Sequence, residues 1–429
     1  MAHRKDPSKL RSLSHGRILS RSPLKSHYLA AREGPIGVEP ENLSTLEKFR
    51  KTALWAWVGA AIGSIKSYIG TRHDFQDPLE LESGAIYKMP GVTRIAVAGD
   101  WGTGGYEAEA SARGMQKNDA GNSEQPDFTL HIGDVYYVGS EDEFKHNCSF
   151  SSGSSVVCWP RGSKGSFSLL GNHEMFSRGI PYFDVLLPNL GMATDGKYPN
   201  GQGSSVFCLE NDDWMIVGLD TGYNSVKWFV QFGLRDENIE WLKQRIFTAE
   251  RKGKGVILMS HHQYFSRFEG DYTKTAKQLA EIGGFLTGRE VLWLWGHEHR
   301  FSGYQLSTGM DLAVHGRCIG HSGMPVEIAA PDTAKSGVPP LAFYDNRKNS
   351  YYSEPTGMNG YCFLDFNGPH LTITYYDAWW APIGGNWGTG ASGSEKILVE
   401  KFQNQNGSVK LTERRKISSN PDLIVVPIA

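Results

Sequence analysis

The 429-residue sequence has few cysteines and no hydrophobic run of membrane-spanning length, and each absence excludes a class of protein. The five cysteines stand at irregular spacing without a CxxC pair, so a disulfide framework is not expected. Cys148 and Cys158 flank a serine-rich loop and would pair only in an exported protein. The one long apolar stretch, Ala53–Ile65, has 13 residues, short of the roughly 20 that a membrane span requires. We therefore expect a soluble, cytoplasmic protein.

A strong charge of one sign is also absent, because the formal net charge is −2. The charge is nevertheless uneven: residues 1–32 carry a net +7 and the remaining residues a net −9. An acidic body lacks the positive field of a dedicated nucleic-acid binder, so no nucleic-acid partner is expected. The basic segment is interpreted as a solvated tail. A transit peptide, which would place the protein in an organelle, is the alternative.

The composition indicates a globular protein with an N-terminal appendage. The sequence is 39% hydrophobic and 21% charged, which excludes collagenous and mostly disordered proteins. The predicted organisation is a basic, disordered tail over 1–50, a helical linker packed on the body over 51–90, and one domain over 91–429, completed by C-terminal strands and loops over 321–429. Ala53–Ile65 is expected to form an amphipathic helix in this linker. Contact of residues 1–65 with a membrane surface is the alternative.

From residue 93 onward, a short apolar run that ends in glycine or serine and then a polar residue recurs six times. The runs are Arg94–Ala98, Phe128–Ile132, Phe167–Leu170, Trp214–Leu219, Val256–Met259 and Val291–Trp295. Runs of this length predict buried strands. Helices are predicted between them at Tyr106–Gln116, from Asp236 onward and at Thr275–Leu286. The alternation indicates an α/β domain with largely parallel strands, whose site lies at the rim where the strands end.

The C-terminal part has a different pattern. Tyr361–Phe366 and Leu371–Tyr376 alternate apolar and polar residues around Asn367-Gly368, which predicts a β-hairpin. Lys396–Glu400 predicts one more strand. The glycine- and tryptophan-rich segment between them, Trp379–Ser394, is expected to be an irregular loop.

Five of the six strand ends carry side chains of the kinds that bind metals. In chain order these are Asp100, Asp134 with Tyr137, Asn172 with His173, His261 with His262, and His297 with His299. Taken alone, each of these histidines is explained as well by a hydrogen-bonded position near the core as by a metal ligand. Carboxylates and imidazoles in similar number suit first-row transition ions, and a set of this size is too large for one ion of about four to six ligands. The joint pattern therefore predicts two ions that share a bridging carboxylate.

Five ordered motifs resemble those of the calcineurin-like metallophosphoesterases. They are GDWG (Gly99–Gly102), GDVYY (Gly133–Tyr137), GNHE (Gly171–Glu174), SHH (Ser260–His262) and GHEH (Gly296–His299). The resemblance covers about residues 91–310. Two details are similar to the purple acid phosphatase branch in particular. The first motif has Gly102 where other members have a histidine, and Tyr137 follows three residues after the second-motif aspartate.

The resemblance implies an α/β fold: a four-layer α/β/β/α sandwich of two mixed sheets, with metals at the strand ends and the C-terminal strands completing the second sheet. Residues 91–429 would then be the catalytic domain. It also implies the ligands of two metal ions. Iron(III) would be bound by Asp100, Tyr137 and His299, a divalent iron, zinc or manganese ion by Asn172, His261 and His297, and Asp134 would bridge them.

The implied activity is hydrolysis of small-molecule phosphate monoesters by a metal-bound hydroxide. His173 would stabilise the phosphoryl group or protonate the leaving alkoxide. His262 is expected to contact the substrate rather than a metal, and Arg267 is either a phosphate contact or a surface residue. A phosphodiesterase or nucleotide pyrophosphatase with the same metals is the alternative. A non-catalytic metal-binding scaffold is a third hypothesis.

Overall fold

The computed structural model describes residues 71–428 except 118–120, 122, 149–158, 226–232, 350–355 and 384–385. The predicted tail, the Ala53–Ile65 helix and Cys158 lie outside the described residues, and the predicted linker is described only from residue 71. Cys148 is a buried free thiol. No helix among the described residues is long and apolar enough to cross a membrane.

Two mixed β-sheets form the centre of the described structure. In chain order the strands are β1 (Ile86–Lys88), β2 (Val92–Ala98), β3 (Phe128–His131), β4 (Gly165–Ser168), β5 (Gly191–Met192), β6 (Phe207–Glu210), β7 (Trp214–Leu219), β8 (Gly255–Ser260), β9 (Glu290–Trp295), β10 (Phe301–Tyr304), β11 (Ala313–Ile319), β12 (Leu341–Asp345), β13 (Asn359–Asn367), β14 (His370–Ile383), β15 (Asn386–Gln405), β16 (Ser408–Lys416) and β17 (Leu423–Val425). The first sheet has the order β1-β6-β7-β8-β9-β11-β10-β12-β17, and the second β16-β15-β14-β13-β2-β3-β4-β5.

Short helices flank the sheets. They are α1 (Tyr106–Gly114), α2 (Glu141–Asn147), α3 (Asn172–Met175), α4 (Asp236–Trp241) and α5 (Thr273–Glu281), with π-helical turns at Tyr182–Leu186 and Leu242–Ile246 and 3-10 turns at Pro78–Glu80, Leu187–Asn189 and Ala249–Arg251. α2 begins with a capping box, in which the Ser140 hydroxyl accepts from the Glu143 N–H and the Glu143 carboxylate accepts from the Ser140 N–H. This exchange satisfies donors that the first turn of a helix leaves unpaired.

The largest hydrophobic core lies between the two sheets. Val97 of β2 packs there with residues of the opposite sheet such as Ile257 of β8, and both are fully buried. The alternate residue Ala98 faces outward and packs with Ala108 of α1, and Trp241 of α4 covers the outer face of the first sheet. Both faces of the central strands are therefore buried, which explains why their sequences are continuously apolar. The predicted four-layer sandwich of two mixed sheets is confirmed.

The six predicted strands all form, and most of them pair in parallel. In the second sheet β2, β3 and β4 are parallel neighbours. In the first sheet β7, β8 and β9 are parallel neighbours as well. Because parallel neighbours end at the same edge, the loops that follow these strands converge on one rim.

The prediction of an irregular loop at Trp379–Ser394 is wrong. β14 and β15 extend through most of this segment, with Trp379 opposite Gly393 and Trp380 opposite Ser392. The missing side chain of Gly393 leaves room for the Trp379 ring, and Trp380 stacks on Tyr106 of α1 with 4.8 Å between ring centroids. Tryptophan across from glycine compensates for the low strand propensity of glycine. This compensation depends on the pairing of strands and is not visible in a local sequence pattern.

Candidate metal centre

The loops after the parallel strands bring most of the predicted metal ligands to one rim. β2 leads to Asp100, β3 to Asp134, β4 to Asn172 at the start of α3, β8 to His261, and β9 to His297 and His299. Ligand atoms of Asp100, Asp134 and His261 lie within 4.8 Å of one another. Residues from both sheets therefore form one buried cluster.

Sharp turns place these side chains. Asp100, Asp134 and His297 have positive φ values of 55°, 73° and 67°, a conformation that costs a non-glycine residue about 1–3 kcal/mol. Hydrogen bonds between the loops hold the turns, since Asp100 Oδ2 accepts from the His297 N–H at 2.8 Å. Gly296 allows this approach, because a Cβ atom there would lie 2.6 Å from Asp100 Oδ2.

Gly296→Ala is therefore expected to weaken metal binding and to lower the free energy of unfolding by about 1–3 kcal/mol, the usual cost of overpacking. Elemental analysis of the purified variant and thermal unfolding measure the two effects. Gly253→Ala is the matched control, because a Cβ at Gly253 meets no atom within 4 Å. Equal metal content and stability in both variants would show that the close approach of Gly296 to Asp100 is not required.

The first donor group surrounds the hydroxyl of Tyr136. This hydroxyl donates to Asp100 Oδ1 at 2.8 Å, lies 2.8 Å from His299 Nε2, and is 3.3 Å from Asp134 Oδ2. His299 Nε2 is 3.7 Å from Asp100 Oδ1. The structure therefore brings together Asp100 and His299, two of the residues predicted for the first ion, with the phenol of Tyr136 between them.

Tyr137, the predicted tyrosine ligand, has different neighbours. Its buried side chain packs in a small cluster with Tyr136, Met324 and Val138. Its N–H donates to Glu143 at 2.7 Å. The spacing within the motif pointed to Tyr137, and the only sequence signal for Tyr136 is that the two tyrosines are adjacent. The role of Tyr137 as a ligand stays a prediction.

The second donor group is rich in imidazole. His261 Nε2 lies 3.3 Å from Asp134 Oδ2 and 3.1 Å from Asn172 Oδ1, while its Nδ1 is 2.9 Å from the carbonyl of Ile132. His261, His262 and His297 have ligand atoms within 4.8 Å of one another. His262 thus lies in the cluster itself. Asp134 contacts residues of both groups, the position that a bridging carboxylate requires.

His173 lies beside the bridging carboxylate. Its Nε2 is 3.7 Å from Asp134 Oδ2, and its N–H donates to Asp134 Oδ1 at 3.0 Å. Its Nδ1 is 2.6 Å from the carbonyl of Tyr137. A carbonyl only accepts hydrogen bonds, so Nδ1 carries a proton and the ring presents Nε2 towards the cluster.

Glu174 is a buried supporting residue of the GNHE motif. Its buried carboxylate accepts from the Gly171 N–H at 2.8 Å and from the Asp134 N–H at 3.4 Å. Burial, together with the charge of Asp134, raises the pKa of Glu174 to about 8. The carboxyl group thereby ties the loop after β3 to the start of α3.

The side chain of Arg267 is buried and its guanidinium is bonded to the main chain. Its nitrogens donate to main-chain carbonyls of the 332–339 segment, including Pro339 at 2.9 Å, Asp332 at 2.7 Å and Val338 at 2.6 Å. The prediction of a phosphate contact is therefore not supported by the structure. The side chain instead fixes a loop that follows the last motif.

Burial controls the charge of the cluster. It raises the pKa of Asp100 to about 7 and lowers the pKa of His297 and of His299 to about 3, so both imidazoles are neutral at neutral pH and keep a lone pair. At His261 the charge of Asp134 outweighs burial and raises the pKa to about 10. At Asp134 the charges of His261 and His173 outweigh burial, so the pKa falls well below its ordinary value. Metal binding at His261 would displace this proton, because only a neutral imidazole has the lone pair that a metal accepts.

These residues fit transition-metal ions. Two buried carboxylates require cationic charge, and neutral imidazoles, carboxylates and an amide oxygen are the donors that first-row transition ions accept.

Comparisons with known proteins identify similar sequences and structures. Residues 93–301 match the calcineurin-like phosphoesterase family. The purple acid phosphatase PPD1 from yellow lupin (Lupinus luteus) seeds is 13% identical over 67% of this chain and 52% of that chain, with a TM-score of 0.43. PhoD is 11% identical over 77% of this chain and 74% of that chain, with a TM-score of 0.46.

Vps29 from Chaetomium thermophilum is 10% identical over 74% of this chain and 100% of that chain, with a TM-score of 0.29. No curated protein matches the chain. The chain spans about half the length of the lupin enzyme, 52% of it.

Proposed function

Residues 93–301 belong to the calcineurin-like phosphoesterase family, and from this premise we propose that the protein hydrolyses phosphate monoesters with two metal ions. The family match supports a metal-dependent phosphoesterase. The observation that carries the finer proposal is the position of Asp134, whose Oδ2 lies 3.3 Å from His261 Nε2 and 3.3 Å from the Tyr136 hydroxyl. One carboxylate is thus shared by two donor groups.

The two groups would hold different ions, as in a purple acid phosphatase. Iron(III) would be bound by Asp100, His299 and a tyrosine, and divalent iron, zinc or manganese by Asn172, His261 and His297. When bound, such ions supply positive charge to the phosphoryl oxygens and make hydroxide available at or below neutral pH.

His173 supplies the proton in this proposal. Its Nδ1 is anchored on the carbonyl of Tyr137, so the imidazolium presents Nε2–H to the region beside Asp134. The Nε2–H bond breaks as the ester oxygen departs, and the proton moves to the alkoxide. The leaving group is released as an alcohol, and His173 is left as a neutral imidazole.

His173→Asn is accordingly expected to lower kcat by about 10²–10⁴-fold for an alkyl phosphate, the usual contribution of a general acid. The loss should be much smaller for nitrophenyl phosphate, whose leaving group needs no proton. Steady-state kinetics on both esters, with metal content measured in parallel, provides the test. His370→Asn on the surface of β14 is the control. An equal loss on the two esters would assign His173 to positioning and not to proton transfer.

The substrate class is tested by comparing nitrophenyl phosphate with bis(nitrophenyl) phosphate, using protein loaded with iron, zinc or manganese. Faster turnover of the monoester is expected. Faster turnover of the bis-ester would make the protein a phosphodiesterase with the same residues. Absence of hydrolysis of either ester with every metal would favour a metal-binding scaffold.

A further inference from the structure

The phenol of Tyr136 stands at the point where three predicted ligands of the first ion converge. Its oxygen is 2.8 Å from Asp100 Oδ1, 2.8 Å from His299 Nε2 and 3.3 Å from Asp134 Oδ2. The separation of Asp100 Oδ1 and His299 Nε2 is 3.7 Å. The hydroxyl thus has contacts with three different motifs, and both carboxylates predicted to bind the ion are among them.

These separations are those of ligands around a common ion. Two donor atoms that each lie about 2.1 Å from one metal stand roughly 3.0 Å apart at a right angle and roughly 3.4 Å apart at a tetrahedral angle. The four distances extend from 2.8 to 3.7 Å, slightly beyond this range at both ends. An ion can therefore replace the proton of the phenol with small movements of the side chains.

Tyr137 has different contacts from those of Tyr136. Its N–H donates to Glu143 at 2.7 Å, its carbonyl accepts from His173 at 2.6 Å, and its ring packs in the cluster with Met324. Glu143 is itself tied to the start of α2 by the capping box. Tyr137 therefore links α2 to the general-acid candidate through its main chain.

We propose that Tyr136, and not Tyr137, is the tyrosine ligand of the first metal ion. The phenol oxygen would bind the ion in place of its proton, and that proton would pass to water. This inference rests on the proposed function, because it names a ligand of the same centre. The one-residue difference from the spacing of the family motif means that the second motif of this chain uses an adjacent position.

The test uses the full-length protein loaded with iron(III) and the matched variants Tyr136→Phe and Tyr137→Phe. A phenolate bound to iron(III) absorbs visible light by charge transfer, so absorbance per bound iron reports the ligand directly. Loss of the visible band in Tyr136→Phe and its retention in Tyr137→Phe are expected. The reverse pattern would overturn the proposal in favour of Tyr137, and retention of the band in both single variants would overturn it as well.

A second measurement applies if Tyr136→Phe fails to fold. Fluorotyrosine incorporated at position 136 keeps the hydroxyl but changes the energy of the phenolate electrons, so it should shift the band, whereas fluorotyrosine at position 137 should leave it in place. A shift from position 137 alone would contradict the proposal.

Different experiments test the tyrosine ligand and the proposed hydrolysis. Iron bound to wild-type protein without a visible band would overturn the tyrosine ligand, and hydrolysis of nitrophenyl phosphate by that colourless protein would leave the proposed function standing. A coloured protein that hydrolyses no phosphoester would retain the ligand assignment and reject the function.

Discussion

Asp134→Asn is expected to abolish nearly all hydrolysis and to reduce the metal content of the purified protein. Asp134 Oδ2 lies 3.3 Å from His261 Nε2 and 3.3 Å from the Tyr136 hydroxyl, so one side chain serves both donor groups. Asparagine keeps the shape but removes the negative charge that draws cations into the buried cluster. Loss of the several kcal/mol that metal ions contribute to phosphoryl transfer corresponds to about 10³-fold in rate.

Measurement of kcat/KM at saturating metal, together with elemental analysis, tests this expectation. Asp212→Asn is the matched control, because Asp212 is exposed and lies outside the cluster. If Asp134→Asn retained full metal content and a rate close to that of the wild type, the shared carboxylate would be excluded, and with it the two-ion arrangement.

Glu400→Gln is expected to lower the free energy of unfolding by more than Gly296→Ala does. Glu400 of β15 is fully buried and forms a paired contact with Arg317 of β11, with N–O distances of 2.6 and 2.8 Å. Its carboxylate also accepts from Arg414 at 2.8 Å and from the Tyr375 hydroxyl at 2.9 Å. This cluster joins the two sheets. Removal of the negative charge leaves Arg317 buried without a counter-charge, which costs about 3–5 kcal/mol.

The stability effect of Glu400 should depend on pH. Burial opposes ionisation of Glu400, but the charges of Arg317 and Arg414 outweigh it and lower the pKa below its ordinary value of 4.5. The carboxylate therefore stabilises the fold fully above this value, and its contribution is lost as the pH falls through the lower pKa of the folded state. The difference in the free energy of unfolding between wild type and Glu400→Gln should shrink in this acidic range.

Chemical denaturation at several pH values measures this difference. Glu413→Gln is the comparison variant, because Glu413 forms its ion pairs with Lys401 and Arg415 at the surface, where such pairs contribute little. Equal losses in the two variants at neutral pH would show that the buried cluster has no special role.

Much of the metal centre was predictable from local sequence because each ligand directly follows a strand. A buried strand requires a continuous apolar run, and the polar residue after it must lie at the rim of the sheet. This reasoning predicted that Asp100, Asp134 and His261 would meet, and their ligand atoms do lie within 4.8 Å of one another. The motifs also contain small residues, and Gly296 shows the close approach that such residues allow.

Other features depended on contacts between distant residues. The guanidinium of Arg267 binds carbonyls about 70 residues later in the chain, including those of Asp332 and Pro339, and no local pattern distinguishes this from a surface position. The pairing of β14 with β15 at Trp379–Ser394 similarly requires each tryptophan to lie opposite a small residue on the neighbouring strand. In both cases the contacts in the folded protein differ from those that the local composition predicted.

The sequence by itself determined where the central strands lie along the chain, that their ends meet at one rim, and which types of metal-binding side chain are placed there. Hydrophobic runs and the residues that terminate them are local properties. Only the tertiary structure decided which of two identical neighbours, Tyr136 or Tyr137, directs its hydroxyl at Asp100 and His299. The physical reason is that the direction of a side chain depends on the backbone of its loop. That backbone is held by partners such as Glu143 and His173, which lie elsewhere in the chain.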